Sequence, residues 1–196
     1  MKIAVTGTPG SNKALIALSL SYITKTPFMQ NRTMYEWFQL YDITGTGEKT
    51  AWKNMFLIAA SSFIERTETE TRHDRFISKG AVFSELVYMQ SVDGMEENPG
   101  VRRERENIVQ GLEHVCMSYA VKQYDAIIHL YNGKDTQANE LYIRLYGKYG
   151  MPYRQYQANN IAGTLMQALA DLNLKAMYSI ERGIYQAEKT LLIRKL

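Results

Sequence analysis

Two glycines and a lysine near the start of the chain have the types and the spacing of a phosphate-binding loop. Gly7 and Lys13 fit the pattern G-x-x-x-x-G-K-[ST], and Gly10 lies between them. In such loops backbone N–H groups surround the phosphates, the lysine contacts the β and γ phosphates, and the last hydroxyl binds Mg²⁺. The pattern predicts a site for ATP or another nucleotide at Gly7, Thr8, Pro9, Gly10, Ser11, Asn12, Lys13 and Ala14.

Two positions of this loop depart from the pattern. Asn12 stands where the second glycine belongs, and Ala14 replaces the serine or threonine. Asparagine tolerates a positive φ better than most residues, so the loop can keep its shape. Alanine has no oxygen that could bind Mg²⁺. The sequence therefore predicts a degenerate loop that holds phosphates better than it holds the metal.

The elements around the loop are those that a phosphate site requires. Lys2 to Thr6 is a short apolar strand, and Ala14 to Leu20 is a run of good helix formers. The stretch KIAVTGTPGSNKA resembles the N-terminus of the P-loop nucleoside and nucleotide kinase-like ATPases, which reads roughly KIAVTGTPGSGKTT. The resemblance is specific over the first twenty residues and looser afterwards. It implies a three-layer α/β fold with a parallel sheet.

A second strand, turn and helix resemble the second signature of these kinases. The strand is Arg75 to Ser78, and the helix is Val82 to Met89. In the family the strand ends in Ser-Asp, and the aspartate coordinates Mg²⁺ through water or activates the acceptor. Here Ser78 is followed by Lys79. The alternative register takes Asp74-Arg75 as the pair, but polar residues precede it, so the alignment on Lys79 is preferred.

Lys79 changes the expected charge of this position by two units. Beside a divalent cation, a like charge costs on the order of several kcal/mol, which weakens metal binding. Lys79 could instead contact a phosphate oxygen and partly replace the metal. The other interpretation is a solvated lysine at the end of a strand.

The resemblance also implies a lid and an acceptor site. Active kinases insert a lid with arginines between the equivalents of Leu130 and Glu140, whereas this chain has a short turn there with Lys134 as its only cation. On the acceptor side, Arg32 and Glu36 match positions where such kinases bind or deprotonate the second substrate. A surface ion pair explains these two residues equally well.

Alternating helices and strands along the rest of the chain predict a doubly wound parallel sheet. The apolar face of a helix at 49–65 is expected to pack on this sheet, and loops are expected at 44–47 and 93–99. The remaining predicted elements are a strand at 26–29, a helix at 101–123, a strand at 124–130, a helix at 137–149 and a strand at 153–157.

The end of the chain is predicted to be a helical extension of the same domain. The P-loop core is assigned to residues 1–160 and the extension to 161–196, with Asn173 and Gly183 as candidate breaks between helices. Packing on the core and exposure for oligomerisation or a protein partner are both open.

Composition excludes several classes of protein. A chain of 196 residues with 45% hydrophobic residues is one globular domain, and its net charge of +3 falls short of a typical nucleic-acid binder. Cys116 is the single cysteine, so no intramolecular disulfide can form. His73, His114 and His129 have no metal-ligand spacing. No apolar stretch is long enough for a membrane span, so a cytoplasmic location is expected.

The favoured interpretation is a kinase-like pseudoenzyme that binds a nucleotide or a protein partner without efficient phosphoryl transfer. The alternative is an ATP-dependent kinase of a nucleoside, nucleotide or related alcohol, with Lys13 on the phosphates. A carboxylate such as Asp74 or Asp125 facing the loop favours the enzyme, and Lys79 at the loop mouth disfavours it. A third interpretation is an assembly subunit with an unused pocket.

Overall fold

The computed structural model describes residues 1–32, 34–43, 51–91, 99–134 and 136–193, which form one parallel sheet covered by helices on both faces. The strands are β1 (Lys2–Gly7), β2 (Phe28–Met29), β3 (Phe76–Lys79), β4 (Ala126–Tyr131) and β5 (Tyr153–Gln157). The helices are α1 (Lys13–Thr24), α2 (Met34–Leu40), α3 (Ala51–Glu70), α4 (Ser84–Ser91), α5 (Pro99–Gln123), α6 (Thr136–Tyr149), α7 (Ile161–Asp171) and α8 (Ile180–Ile193).

The sheet has the order β2-β3-β1-β4-β5, and all its neighbours are parallel. The predicted three-layer α/β fold with a parallel sheet is confirmed. Ala4 of β1 pairs with Ser78 of β3, and Gly7 pairs with Leu130 of β4. Because the carboxyl ends of parallel strands meet at one edge, the loops after β1, β3 and β4 lie side by side there.

The helix α2 has no counterpart among the predicted elements, whereas most of the other observed elements follow the predicted ones to within a few residues. The last strand coincides with its prediction, and β4 begins and ends one or two residues later than expected. The loop predicted at 44–47 and nearly all of the one predicted at 93–99 lie outside the described residues, and Pro99 already begins α5.

The packing expected for α3 is wrong in one respect. Its apolar residues Met55 and Ala59 cluster with Met89 of α4 and with side chains of α2 and α5, whereas Phe63 packs against the core cluster that includes strand residues. The helix also continues five residues beyond the predicted end at 65, to Glu70. The part that lies against the sheet edge is this polar end, where Arg66 and Glu70 are buried. A pattern of apolar residues cannot predict the burial of charged residues that are paired inside the protein.

The C-terminal helices α7 and α8 both pack on α1. The chain breaks between them near Asn173, which has a φ of 49°. The second candidate break is wrong, since Gly183 lies inside α8 and is buried against Ile23 of α1, where a Cβ would clash. A small residue here lets two helices approach closely. The domain division at residue 160 stays a prediction.

The outer side of α8 keeps large apolar side chains in contact with solvent, including Tyr185 and Leu192. Within the described ranges, no helix has both the length and the apolar character to cross a bilayer.

Candidate active site at the carboxyl edge of the sheet

The loop between β1 and α1 has the shape of a phosphate cradle. Gly10 has a φ of 74° and Asn12 a φ of 56°, so asparagine occupies the left-handed region that glycine takes freely. A Cβ on Gly7 would lie 2.5 Å from the Leu130 backbone oxygen, which requires glycine there. The Asn12 side chain turns away from the cradle and donates to the Ala158 backbone oxygen at 3.4 Å.

The amino end of α1 is open to an anion. Asn12 is the N-cap residue, but its side chain does not cap the helix, and the first turn contains no acidic residue. The first amides of a helix lack partners inside the helix, and the helix dipole adds positive potential at this end. These amides face the loop, which is the arrangement that binds phosphate.

Lys13 begins α1 and lies among other positive charges. Its Nζ donates to the Gly7 backbone oxygen at 3.0 Å. Burial lowers the pKa of Lys13 to about 8, and the charges of Lys79 and Arg66 lower it further, while Glu85 opposes them. The ammonium groups of Lys13 and Lys79 therefore act on each other, and a bound polyanion would relieve their repulsion.

A buried ion pair lies beside these lysines. Arg66 of α3 and Glu85 of α4 are 4% and 8% exposed, and Arg66 Nη2 lies 3.4 Å from Glu85 Oε1. Arg66 Nη1 also donates to the Lys79 backbone oxygen at 3.0 Å and to Ser78 Oγ at 3.5 Å. The arginine thus holds the end of β3, the predicted second motif, in place.

Several buried polar atoms near this edge lack a hydrogen-bond partner in the described part of the chain: Ser11 Oγ, Arg66 Nε and Glu85 Oε2. Buried polar atoms without partners are rare, so these atoms indicate where a ligand or water would bind.

Sequence reasoning missed Arg66 and Glu85. A signal for Arg66 exists, because it continues the face of α3 that carries Ala59 and Phe63 at helical spacing. A charged residue on an apolar face is either an error of assignment or a buried charge with a partner. Nothing in the sequence pairs it with Glu85.

The predicted acceptor residues come after β2, whose carboxyl end lies next to that of β3. The Arg32 guanidinium contacts Glu65 Oε1 at 2.9 Å and stacks over Trp37 at 5.0 Å from the ring centre. Glu36 is exposed on α2. Arg32 thus takes part in an ion pair with Glu65, and the acceptor role of Arg32 and Glu36 stays a prediction.

The two aspartates that could have favoured an enzyme do not face the loop. Asp125 accepts from the Lys2 backbone amide at 2.7 Å, at the amino edge of the sheet. Asp74 is exposed and precedes β3 at the same edge. The carboxylate whose charge acts on Lys13 is Glu85 instead.

His129 lies under the loop in a buried polar network. Its Nδ1 lies 3.1 Å from Thr6 Oγ1 and from Tyr146 Oη, and its Nε2 lies 3.0 Å from Asn139 Oδ1. Burial lowers the pKa of His129 to about 4, so the ring is neutral near pH 7. With Nε2–H donating to Asn139, Nδ1 accepts from a hydroxyl, and the ring ties β1, β4 and α6 together.

The residues present fit the phosphates of a nucleotide better than a magnesium ion. The open amides of α1 with Lys13 and Lys79 supply the donors and positive charge that phosphates need. Ala14 offers no ligand, and Glu85 is engaged by Arg66. The described ranges also hold no group of three histidine, cysteine or acidic side chains that could bind a metal.

Glu70 lies on α3 one helical turn after Arg66, and its carboxylate is buried. It is fully buried, and Tyr124 Oη donates to both of its carboxylate oxygens at 2.9 and 3.1 Å. Burial raises the pKa of Glu70 to about 7, against the opposing effects of Arg66 and Tyr124. Because the folded pKa lies above the unfolded one, the folded state loses stability as pH rises from about 4.5 to 7.

We therefore expect Glu70→Gln to stabilise the protein by about 1–3 kcal/mol at pH 8 and to change little at pH 5. Glutamine can still accept from Tyr124 but carries no charge. Thermal unfolding of the parent and the variant at both pH values measures this difference in stability. Both proteins contain His129, so its titration does not affect the difference. The control is Glu68→Gln on the exposed face of α3. A variant less stable than the parent at pH 8 would contradict the expectation.

Comparison with known proteins identifies the class of fold. No family model matches the sequence, and no curated protein sequence matches it significantly. Among solved structures, deoxyadenosine kinase from M. mycoides with bound dATP matches at 15% identity with a TM-score of 0.60, over 88% of this chain and 100% of that chain. The same enzyme with bound dCTP matches at 15% identity with a TM-score of 0.61, over 88% and 99%.

This chain thus has the fold of the P-loop deoxyadenosine kinases over most of its length. The predicted resemblance to P-loop nucleoside and nucleotide kinases is confirmed at the level of the fold. At 15% identity this similarity supports a shared fold, but it does not support shared roles of individual side chains.

Proposed function

We propose that this chain binds the polyphosphate of a nucleotide in the P-loop, residues 7–14, and that its capacity for phosphoryl transfer is weak or absent. The observation that carries the proposal is the pair of positive charges at the loop. Lys13 is bonded to the loop backbone, and its pKa is lowered to about 8, by burial first and then by Lys79. A phosphate placed beside the amino end of α1 would be attracted by both of these charges.

Weak transfer follows from what the site lacks for charge neutralisation. Phosphoryl transfer depends on a positioned metal and on cations that close over the phosphates. Ala14 removes the usual metal-binding hydroxyl, and Lys79 places an ammonium where the family has an acid. In this account Lys79 contacts phosphate oxygens and partly replaces Mg²⁺.

Adenine nucleotides are the ligands to examine first. The matching solved structures are of deoxyadenosine kinases, one with bound dATP and one with bound dCTP. We extend the ligand class, a nucleoside triphosphate, to this chain as a proposal.

A kinase remains the second candidate, and Glu85 is the observation that favours it. Its carboxylate is buried at the site, acts on Lys13, and has one oxygen without a partner in the described residues. If Arg66 released it, this carboxylate could accept a proton or help to hold a metal.

The proposal is tested by competition against a fluorescent ATP analogue. ATP, dATP and inorganic tripolyphosphate are expected to displace the analogue at micromolar concentrations, and adenosine to displace it much less, since the phosphates carry the affinity. Displacement by adenosine alone would move the binding site away from the P-loop. A coupled assay for ADP formation, run with nucleosides as acceptors, decides between binding and the kinase.

We also propose that the exposed apolar face of α8 is where a second copy or a protein partner would bind. Tyr185, Leu192 and Ile193 are each more than 60% exposed there. Sedimentation of the parent and of Leu192→Glu tests this, because a monomer in both cases removes the support for a self-assembled form.

A further inference from the structure

The Asn132 side chain joins the P-loop to the connection that follows β4. Its Oδ1 accepts from Thr8 Oγ1 at 3.2 Å, and its Nδ2 donates to the Pro9 backbone oxygen at 2.9 Å. The same Oδ1 accepts from the Lys134 backbone amide at 3.0 Å. One amide therefore uses both its donor and its acceptor to hold two loops against each other.

The loop is closely fitted to this side chain. A Cβ on Gly10 would lie 3.4 Å from Asn132 Nδ2, and Thr8 is fully buried, with its backbone N–H donating to the Leu130 backbone oxygen at 3.3 Å. The first half of the loop is thus fixed on β4, while Asn12 anchors the second half to Ala158, which follows the neighbouring strand β5.

We propose that Asn132 is a positioning residue that sets the shape of the P-loop for phosphate binding, which rests on the function proposed for that loop. Asn132 acts through Thr8 and Pro9 and does not need to contact the ligand. A loop that is ordered before the ligand arrives loses less entropy on binding, so affinity rises without a new contact. The bond to Lys134 N also keeps the backbone of this cation close to the phosphate loop.

The test is Asn132→Ala, compared with Asn107→Ala on the exposed face of α5. Without the hydrogen bonds of the Asn132 side chain, amide hydrogen exchange in residues 8–13 is expected to become at least about tenfold faster. The Kd for ATP is expected to rise roughly 5- to 30-fold. The control is expected to leave exchange and affinity unchanged. The melting temperature identifies any general loss of stability.

Variants of Thr8 separate positioning from a general structural effect. Thr8→Val removes the hydroxyl that donates to Asn132, whereas Thr8→Ser keeps it, so only the serine variant is expected to retain exchange protection and ATP affinity. If the two residues act through one bond, Thr8→Val combined with Asn132→Ala weakens binding no more than about twofold beyond the stronger single change.

Failure of this inference can be distinguished from failure of the proposed function. Unchanged exchange in residues 8–13 of Asn132→Ala, or fully additive effects with Thr8→Val, overturns the role of Asn132. Absence of ATP binding by the unmodified protein overturns the proposed function, and the exchange rates, which need no ligand, still decide whether Asn132 fixes the loop.

Discussion

Replacement of Lys13 by methionine is expected to raise the Kd for ATP roughly 30- to 150-fold, which corresponds to about 2–3 kcal/mol. Lys13 is the cation within the phosphate loop. Hydrogen bonds from a charged donor to a phosphate are stronger than hydrogen bonds between neutral groups. Methionine keeps the apolar stem and removes a charge that Lys79 and Arg66 repel, so the fold should not lose stability. Calorimetric titration with ATP, together with thermal unfolding, measures both effects.

The pH dependence adds a second readout of the same lysine. Because the pKa of Lys13 is about 8 and phosphate binds the protonated form, affinity should fall as pH rises from 7.5 to 9.5. In Lys13→Met the fall attributable to this group is absent. Lys175→Met, an exposed lysine between α7 and α8, is the control for net charge. Equal affinities of the two variants would exclude the P-loop as the phosphate site.

Replacement of Arg66 by methionine is expected to destabilise the protein by about 3–5 kcal/mol, because it leaves the Glu85 carboxylate buried without its partner. The Lys79 backbone oxygen loses its donor at the same time. For a chain of this size the melting temperature should fall by roughly 6–20 °C. Urea unfolding measures the free energy directly.

Arg32→Met is the matched control, since Arg32 pairs with Glu65, the neighbour of Arg66 on α3, but is 47% exposed as a side chain. Exposed pairs contribute only about 0–1 kcal/mol. Combining Arg66→Met with Glu85→Leu should recover much of the lost stability, because both charges are then removed. A loss in Arg66→Met no larger than in the control would show that the buried pair is not a structural element.

The fold and the phosphate loop could be predicted because their signals are local. Gly7, Gly10 and Lys13 lie within seven consecutive residues, and the apolar runs before them and in 126–131 mark buried strands. The left-handed conformation of Asn12 also follows from the residue type.

The remainder of the site could not be predicted because it is assembled through space. Arg66 and Glu85 are nineteen residues apart and meet only when α3 and α4 pack together. Asn132 reaches Thr8 across 124 positions of the chain, through the register between β1 and β4. Neither pair has a spacing that the sequence could reveal, and charges on a buried face contradict the pattern that locates helices.

The most direct test of the account is a calorimetric titration with ATP, carried out once with Mg²⁺ and once with EDTA. If Lys79 and Lys13 neutralise the phosphates, micromolar binding is expected in both buffers, with Kd values within about threefold of each other. Binding that tightens more than about tenfold with Mg²⁺ would contradict the account and support a metal-dependent kinase. Absence of heat in both buffers would contradict nucleotide binding altogether.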